Sequence, residues 1–405
     1  MIVRHGFFFL SCLVAFTAGH MFNYAIILWL QESVGSDLLS GVGFALAFGS
    51  SIVFGWFAGV LCDRVAPGKI IHAAHGLFLV GLCFLWWAEA GAAPGTRVAW
   101  TLAAALFGGL AWSFFGPARL TALGQIVPSD ELRPATILFN LQVLLGFGLA
   151  PVLIGLIRAH STSWAPVLAV SAAGFAAGSL LIASMATHAG GSDPQPLRKE
   201  IAQGFAALRD SPLLAQLMLA AVIGYSMTGP MQILLPRLAR QGLALTESTR
   251  GLYLGLLAVS LIAGGLLALA LARRVHNGRL IFSGIVAGGG LFALLAVVSS
   301  AGASAFVLAL VGVFGGLVMS LIVANLQMNA HPQTRGRILA MYSMSSQVMP
   351  ALSAIAAGAL LRASGLTAAI LACGMGLAVI AAIGASLMPV LRRHRGVPLT
   401  DAQPA

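Results

Sequence analysis

The sequence predicts an all-α membrane protein: twelve transmembrane helices in two pseudo-symmetric six-helix bundles. Three observations predict it. The composition is 59% hydrophobic and only 8% charged, with a mean hydropathy of +0.96, whereas a soluble domain is about a quarter charged. The apolar residues are gathered into separate stretches of membrane-crossing length. Motifs of the first half recur in the second.

A crossing helix needs about 20 mostly apolar residues. The segments 7–31, 38–62, 70–93, 98–122, 134–158, 164–187, 213–236, 249–272, 279–300, 303–328, 336–361 and 366–390 meet that requirement. The first follows Arg4 as a leader peptide would, but it outruns the roughly 7–15 apolar residues of such a leader and is read as helix 1. In the seventh, Gly229 and Pro230 are expected to bend the helix. Residues 1–188 form the first bundle, 189–212 a linker, 213–391 the second bundle and 392–405 a tail. In the linker Asp193, Pro194 and Pro196 break the chain. Leu197, Ile201, Phe205 and Leu208 then recur at helical spacing, with Arg198, Lys199 and Arg209 on other faces. That pattern describes an amphipathic helix lying on the inner membrane surface.

Orientation follows from the basic residues. With the N-terminus inside, only Arg97, Arg158, Arg237, Arg240, Arg250 and Arg362 of the 22 Lys and Arg lie outside. This is the positive-inside bias with both termini cytoplasmic. Trp29, Trp86, Trp87, Trp100 and Trp164 fall near outer helix ends, as an interfacial aromatic belt would.

The net charge of +11 does not indicate nucleic acid, because the basic residues sit in short runs between apolar segments rather than on one face. Cys12, Cys62, Cys83 and Cys373 show no paired spacing, so neither a metal nor a disulfide is expected. No phosphate-binding glycine loop, zinc-ligand spacing or serine elbow is present, which disfavours ATP hydrolysis and catalysis and implies no cofactor.

The repeats pair "LCDRVAPGKI" (61–70) with "LARRVHNGRL" (271–280), and "FGGLAWSF" (107–114) with "FGGLVMSL" (314–321). Two such units with a site between them suit a rocking transporter better than a membrane enzyme. The stretch "GVLCDRVAPGK", with Gly59, Asp63, Arg64, Gly68 and Lys69, resembles the loop signature of the major facilitator superfamily, although Ala66 and Pro67 lengthen the turn. "FFGPARLTALGQIVPSDEL" (114–132), "EIAQGFAALRDSPLL" (200–214) and "RGRILAMYSM" (335–344) resemble its bacterial branch of enterobactin, siderophore and drug exporters. Gly146, Pro151 and Gly155 match in part an exporter signature of helix 5; helix packing accounts for them equally. The resemblance implies the major facilitator fold, a monomer, and proton-coupled export of an amphiphilic molecule. It also implies a gate in which Asp63, with Gly59, Arg64 and Lys69, faces the start of helix 11 near Arg335 and Arg337. A carboxylate against a helix N-terminus is favourable; a topology-setting loop charge is the plainer reading.

The eleven Asp and Glu all fall in loops or at helix ends. His20 lies halfway along helix 1, on a stripe with Thr17, Tyr24 and Gln31 and beside Asn23. Histidine can carry a proton near neutral pH, so His20 is a candidate for proton coupling or for contact with an anionic group. An imidazole bonded between helices is the structural alternative. Asn23, Tyr24, Tyr225, Gln232, Asn325 and Gln347 are candidate substrate contacts, as is Arg119, which otherwise anchors helix 4 at the interface. Such a cavity, mostly apolar and rich in Met, suits an amphiphile rather than a sugar or an ion. A lysophospholipid or multidrug transporter, and a membrane sensor that has lost transport, stay open as alternatives.

Overall fold

The computed structural model describes residues 2–91, 93–128, 130–189, 197–271, 276–331 and 334–395. Among these, all regular structure is helical: α1 (Ile2–Glu32), α2 (Asp37–Gly49), α3 (Ser51–Arg64), α4 (Pro67–Glu89), α5 (Pro94–Ile126), α6 (Leu132–Arg158), α7 (Ala165–Leu181), α8 (Leu197–Asp210), α9 (Pro212–Tyr225), α10 (Thr228–Arg237), α11 (Glu247–Leu271), α12 (Asn277–Leu294), α13 (Ala301–Asn329), α14 (Arg335–Leu387) and α15 (Pro389–Arg393). A π-helical turn, Leu238–Gly242, follows α10. Ten helices among the described residues are long and apolar enough to cross a membrane. One of them, α14, has 53 residues and would run about 80 Å if straight, far more than a bilayer's hydrocarbon core of about 30 Å. It turns back at Gly365, whose φ of +79° and ψ of 175° interrupt the helix and are open chiefly to glycine. Dividing α14 there, and adding the shorter apolar helix α7, gives the twelve crossings.

Local chemistry sets the helix starts. Ser36, Ser211 and Ser300 accept from the amides of Leu39, Leu214 and Ala303 at the N-termini of α2, α9 and α13, each cap contributing about 1 kcal/mol. Pro residues occupy the first turns of α4, α5, α7 and α9, where their missing N–H is not needed.

Two breaks differ from the sequence reading. Helix 2 divides into α2 and α3 at Ser50, whose Oγ donates to Leu46 O at 2.6 Å; such back-bonding bends helices. Helix 7 divides at Ser226–Met227, ahead of Gly229 and Pro230. Pro230 lies in the first turn of α10, where a proline is accommodated. Two of the five belt tryptophans are interior as well: Trp29 and Trp164 are buried and meet edge-to-face at 6.4 Å.

In the first bundle α1 packs on α6 and α7, and α4 on α5; in the second α13 packs on α11 and α12. The halves meet along two seams, α2 with α14 and α6 with α11. Glycines bring the backbones together there. A Cβ on Gly41 would sit 2.4 Å from Ala354 O, and one on Gly251 would sit 2.4 Å from Pro151 O. The close approach supplies the dispersion contact on which helix association in lipid depends. Between the halves runs α8, with Gly204 buried against Met341 and Phe205 exposed.

The start of α1, α8 and α15 lie at one end of the bundle, called the terminal end, opposite the far end. Here α15 folds back under the second bundle. Leu391 N donates to Gln216 Oε1 at 2.8 Å, and His394 Nε2 meets Asn325 Oδ1 at 3.0 Å. Arg395 Nε donates to His276 Nε2 at 3.0 Å, so that nitrogen must be unprotonated. Partial desolvation, then Arg395 and Arg279, hold His276 below the usual histidine range, and burial does the same for His394. Lowered values mean that docking is complete above about pH 6.5, the ordinary histidine value, and weakens as pH falls below it. Hydrogen exchange of the Leu391–Arg395 amides should therefore accelerate on acidification, and His276→Ala should remove much of that pH response.

Candidate functional site

A cavity of about 360 Å³ lies between the two halves. His20 of α1, Phe44 and Phe48 of α2, and Val143 and Phe147 of α6 form one wall. The other includes Tyr225, Thr228 and Gln232 of the α9–α10 region, Leu257 of α11, Phe314, Met319 and Ser320 of α13, and Ser346 and Pro350 of α14. No Asp, Glu, Lys or Arg is among its described lining residues. The arrangement can enclose an apolar body and offer a few hydrogen bonds, with no full charge to pair.

The sequence-predicted residues divide by location. His20 faces the cavity, its ring 5.1 Å from Trp112 and 5.3 Å from Phe147, and its Nε2 is buried without a hydrogen-bond partner. The Tyr24 hydroxyl is hydrogen-bonded to Gln232 across the halves. Tyr225 donates to Tyr342 Oη at 2.8 Å. Asn23 is buried near His20 but outside the lining, with both amide atoms unpartnered. Gln347 accepts from Ser51 across the α2–α14 seam, at the point where α3 begins.

Two candidates are corrected. Asn325 does not reach the cavity: it is wholly buried at the terminal end, holding Asn277 and His394. Arg119 is neither a cavity contact nor an interfacial anchor. It is fully buried inside the first bundle, where Nη1 donates to Cys12 Sγ and Nη2 donates to Ser11 Oγ and His75 Nε2, each at 3.1 Å. Asn325 shares α13 with cavity groups but points to another face, while α5, which carries Arg119, contributes no described residue to the lining. His75, buried on α4, was missed; only its position opposite Arg119 reveals it.

At the terminal end the side chains of Gly59 and Asp63 lie outside the described residues, so their pairing has no structural description. Arg64 and Lys69 flank the α3–α4 turn and are exposed. Arg335 and Arg337 open α14, with Arg335 Nη2 3.5 Å from Ala330 O. The described ion pairs between the halves lie at the far end instead. Glu32 is within 3.1 Å of Arg250, 3.4 Å of Arg240 and 3.5 Å of Arg158. Arg237 Nε donates to Asp37 Oδ1 at 2.6 Å, and its Nη2 donates to Gln31 O at 3.3 Å. Gln31 Nε2 in turn donates to Ile233 O at 2.9 Å, while Arg250 also pairs with Glu247. These contacts join α1 and α2 to α10, the π-helical turn and α11, and so seal the halves together. The sequence held one signal of it: four of the six basic residues outside the positive-inside bias belong to this cluster.

Together the twelve crossings, the two seams and the central cavity between the halves define a membrane transporter. The chain belongs to the Major Facilitator Superfamily, whose sequence profile matches residues 8–354, and it is a secondary transporter of that family. No curated protein sequence matches it. In fold it is similar to a POT peptide transporter solved with sulfate, with a TM-score of 0.76, 14% identity, and 96% of this chain and 95% of that one covered. The nucleoside transporter NupG gives 0.75, 12%, 95% and 99%. A bacterial homolog of the human lysosomal transporter Spinster, inward-facing and occupied, gives 0.73, 13%, 96% and 97%.

Removing one partner of a buried ion pair leaves an uncompensated charge at a cost of a few kcal/mol. Asp37→Asn should therefore shift the protein toward states open at the far end. Spin-label distances between the α1–α2 turn and the π-helical turn would lengthen, and the exchange Asp37→Arg with Arg237→Asp would restore the closed distribution. An unaltered distribution in Asp37→Asn would show that this pair does not hold the gate.

Proposed function

We propose that this chain exports a siderophore or another amphiphilic small molecule from the bacterial cytoplasm, driven by the proton gradient. The cavity carries the argument. Its volume falls within the roughly 300–1,000 Å³ of small-molecule sites, its walls are apolar and aromatic, and its hydrogen-bonding groups are few and uncharged. A peptide or nucleotide would bring charges that nothing in the lining pairs. Met227, Met231 and Met319 let the walls adapt to irregular shapes. The resemblance of residues 114–132, 200–214 and 335–344 to exporters supports the direction, and the excess of Lys and Arg outside the far end supports a cytoplasmic terminal end.

His20 is the one residue of the described lining whose side-chain type ordinarily exchanges a proton near neutral pH, and the opening of the cavity to water would let it do so. One proton moved through about 100 mV yields about 2.3 kcal/mol, enough for useful accumulation when coupled to a single molecule. A lysophospholipid is the second reading, favoured by the same apolar walls.

A deletion strain starved of iron should lose siderophore from its medium and accumulate it in its cells, with the intact gene restoring secretion. His20→Ala should lower transport and flatten its dependence on pH across roughly pH 5–8, the range of histidine chemistry. Unchanged secretion by the deletion strain, with impaired lysophospholipid uptake, would replace the siderophore reading with the second one. Unchanged transport and pH dependence in His20→Ala would remove His20 from coupling.

A further inference from the structure

We propose that the transport cavity accepts neutral and anionic lipophiles and rejects cations of the same size, with Arg119 as the residue that sets this preference. The inference rests on the amphiphile reading of the cavity and deepens it.

Arg119 has no exposed surface, and no described carboxylate pairs with it. A guanidinium only donates, so the directions of its hydrogen bonds are fixed. His75 Nε2 must accept from Arg119, which places that ring's proton on Nδ1, 2.6 Å from Ser179 Oγ. Ser11 Oγ accepts from Arg119 and passes its own proton to Gly178 O at 2.7 Å. The guanidinium carbon lies 4.7 Å from the Phe115 ring centroid, and Nε has no partner at all. Every described partner of Arg119 is a dipole or a ring. The charge is solvated by them, and none of these groups cancels it.

Two aromatic rings, Phe115 and Trp112, stand between that charge and the cavity wall. Phe115 meets Trp112 at 5.4 Å, and Trp112 meets the lining residue His20 at 5.1 Å. The described lining adds no charge of its own. At the far end four arginines face Glu32, Asp37, Glu247 and, beside Trp164 and Arg158, Glu89, so the charges there balance. Arg119 therefore biases the potential over the cavity toward positive, in a medium whose low dielectric and lack of mobile ions leave it poorly screened. A helix-stitching role alone would explain the donors around Arg119. It would not make the cavity discriminate by charge, and that difference is testable.

Tetraphenylborate and tetraphenylphosphonium have the same shape and opposite charge, and tetraphenylmethane is the neutral counterpart. Their binding is measured by equilibrium dialysis on the full-length protein in phosphatidylcholine nanodiscs, with empty nanodiscs subtracted. The borate should bind about tenfold or more tightly than the phosphonium. Arg119→Gln should weaken the borate and strengthen the phosphonium, opposite shifts that misfolding cannot produce, while Arg119→Lys should keep the original order. If Arg119→Gln does not fold, Ser320→Asp tests the same field from the cavity wall and should favour the phosphonium. The inference is overturned if the neutral probe binds while the wild type holds both ions equally or prefers the cation. It is overturned as well if folded Arg119→Gln leaves their ratio unchanged. Failure of all three probes to bind would instead refute the amphiphile cavity itself, and this inference with it.

Discussion

In hydrocarbon a backbone amide or carbonyl without a partner costs several kcal/mol, because no water can take the partner's place. Most features of this chain answer to that penalty. It explains why regular structure among the described residues is helical throughout, and why serines cap helix starts. It also explains why the breaks at Ser50 and Ser226 fall where side chains and neighbouring turns can bond the freed groups. Ser50 Oγ reaches Leu46 O, and Ser226 Oγ reaches Ile223 O. Irregular backbone at membrane depth is thereby confined to protein-enclosed positions near the cavity, where a bend is useful.

The same solvent removes the hydrophobic effect as a force between helices, since lipid tails are as apolar as leucine. The halves must be held by close packing and by polar contacts. The glycine seams provide the first: at Gly41 and Gly251 the opposing carbonyl stands where a Cβ would be. The far-end ion pairs and the Ser51–Gln347 bond provide the second. A seam made by absent side chains has little interlocking relief, so one half can roll on the other once the polar contacts part. Gly155 of the partial exporter signature sits in such a seam, against Gly251 and Glu247, which gives that residue a packing role in its own right.

Much of this was legible in the sequence because a membrane span is a one-dimensional signal. Length and hydropathy place the crossings, and a helical stripe finds His20 and Tyr24 without knowledge of any partner. Depth and face were harder. Asn325 lies on the cavity-bearing α13, but a helix has several faces, and only packing shows which one is turned inward; Arg119 lies on α5, none of whose described residues lines the cavity. The far-end gate was illegible for a different reason. Asp37 and Arg237 are separated by 200 residues, and a charge pair formed across two bundles leaves no periodic trace. His75 escaped likewise, since its significance depends on a guanidinium from another helix.

The strength of the gate is itself constrained by function. A cargo can shift a conformational equilibrium only by its differential affinity for the two states, and such coupling is typically about 1–3 kcal/mol. A clamp buried as deeply as a protein core would exceed that and trap the transporter closed. The far-end contacts avoid this by being graded: the Glu32–Arg250 pair is mostly shielded, with its side chains 11% and 9% exposed, whereas Arg240 on the same carboxylate is 45% exposed. Water can therefore reach the outer member first and solvate the arginines as they separate. Because Glu32 meets both Arg240 and Arg250 across the seam, with Arg158 beside it in its own bundle, losing one crossing contact leaves the other in place, so the seal can open in steps smaller than its total.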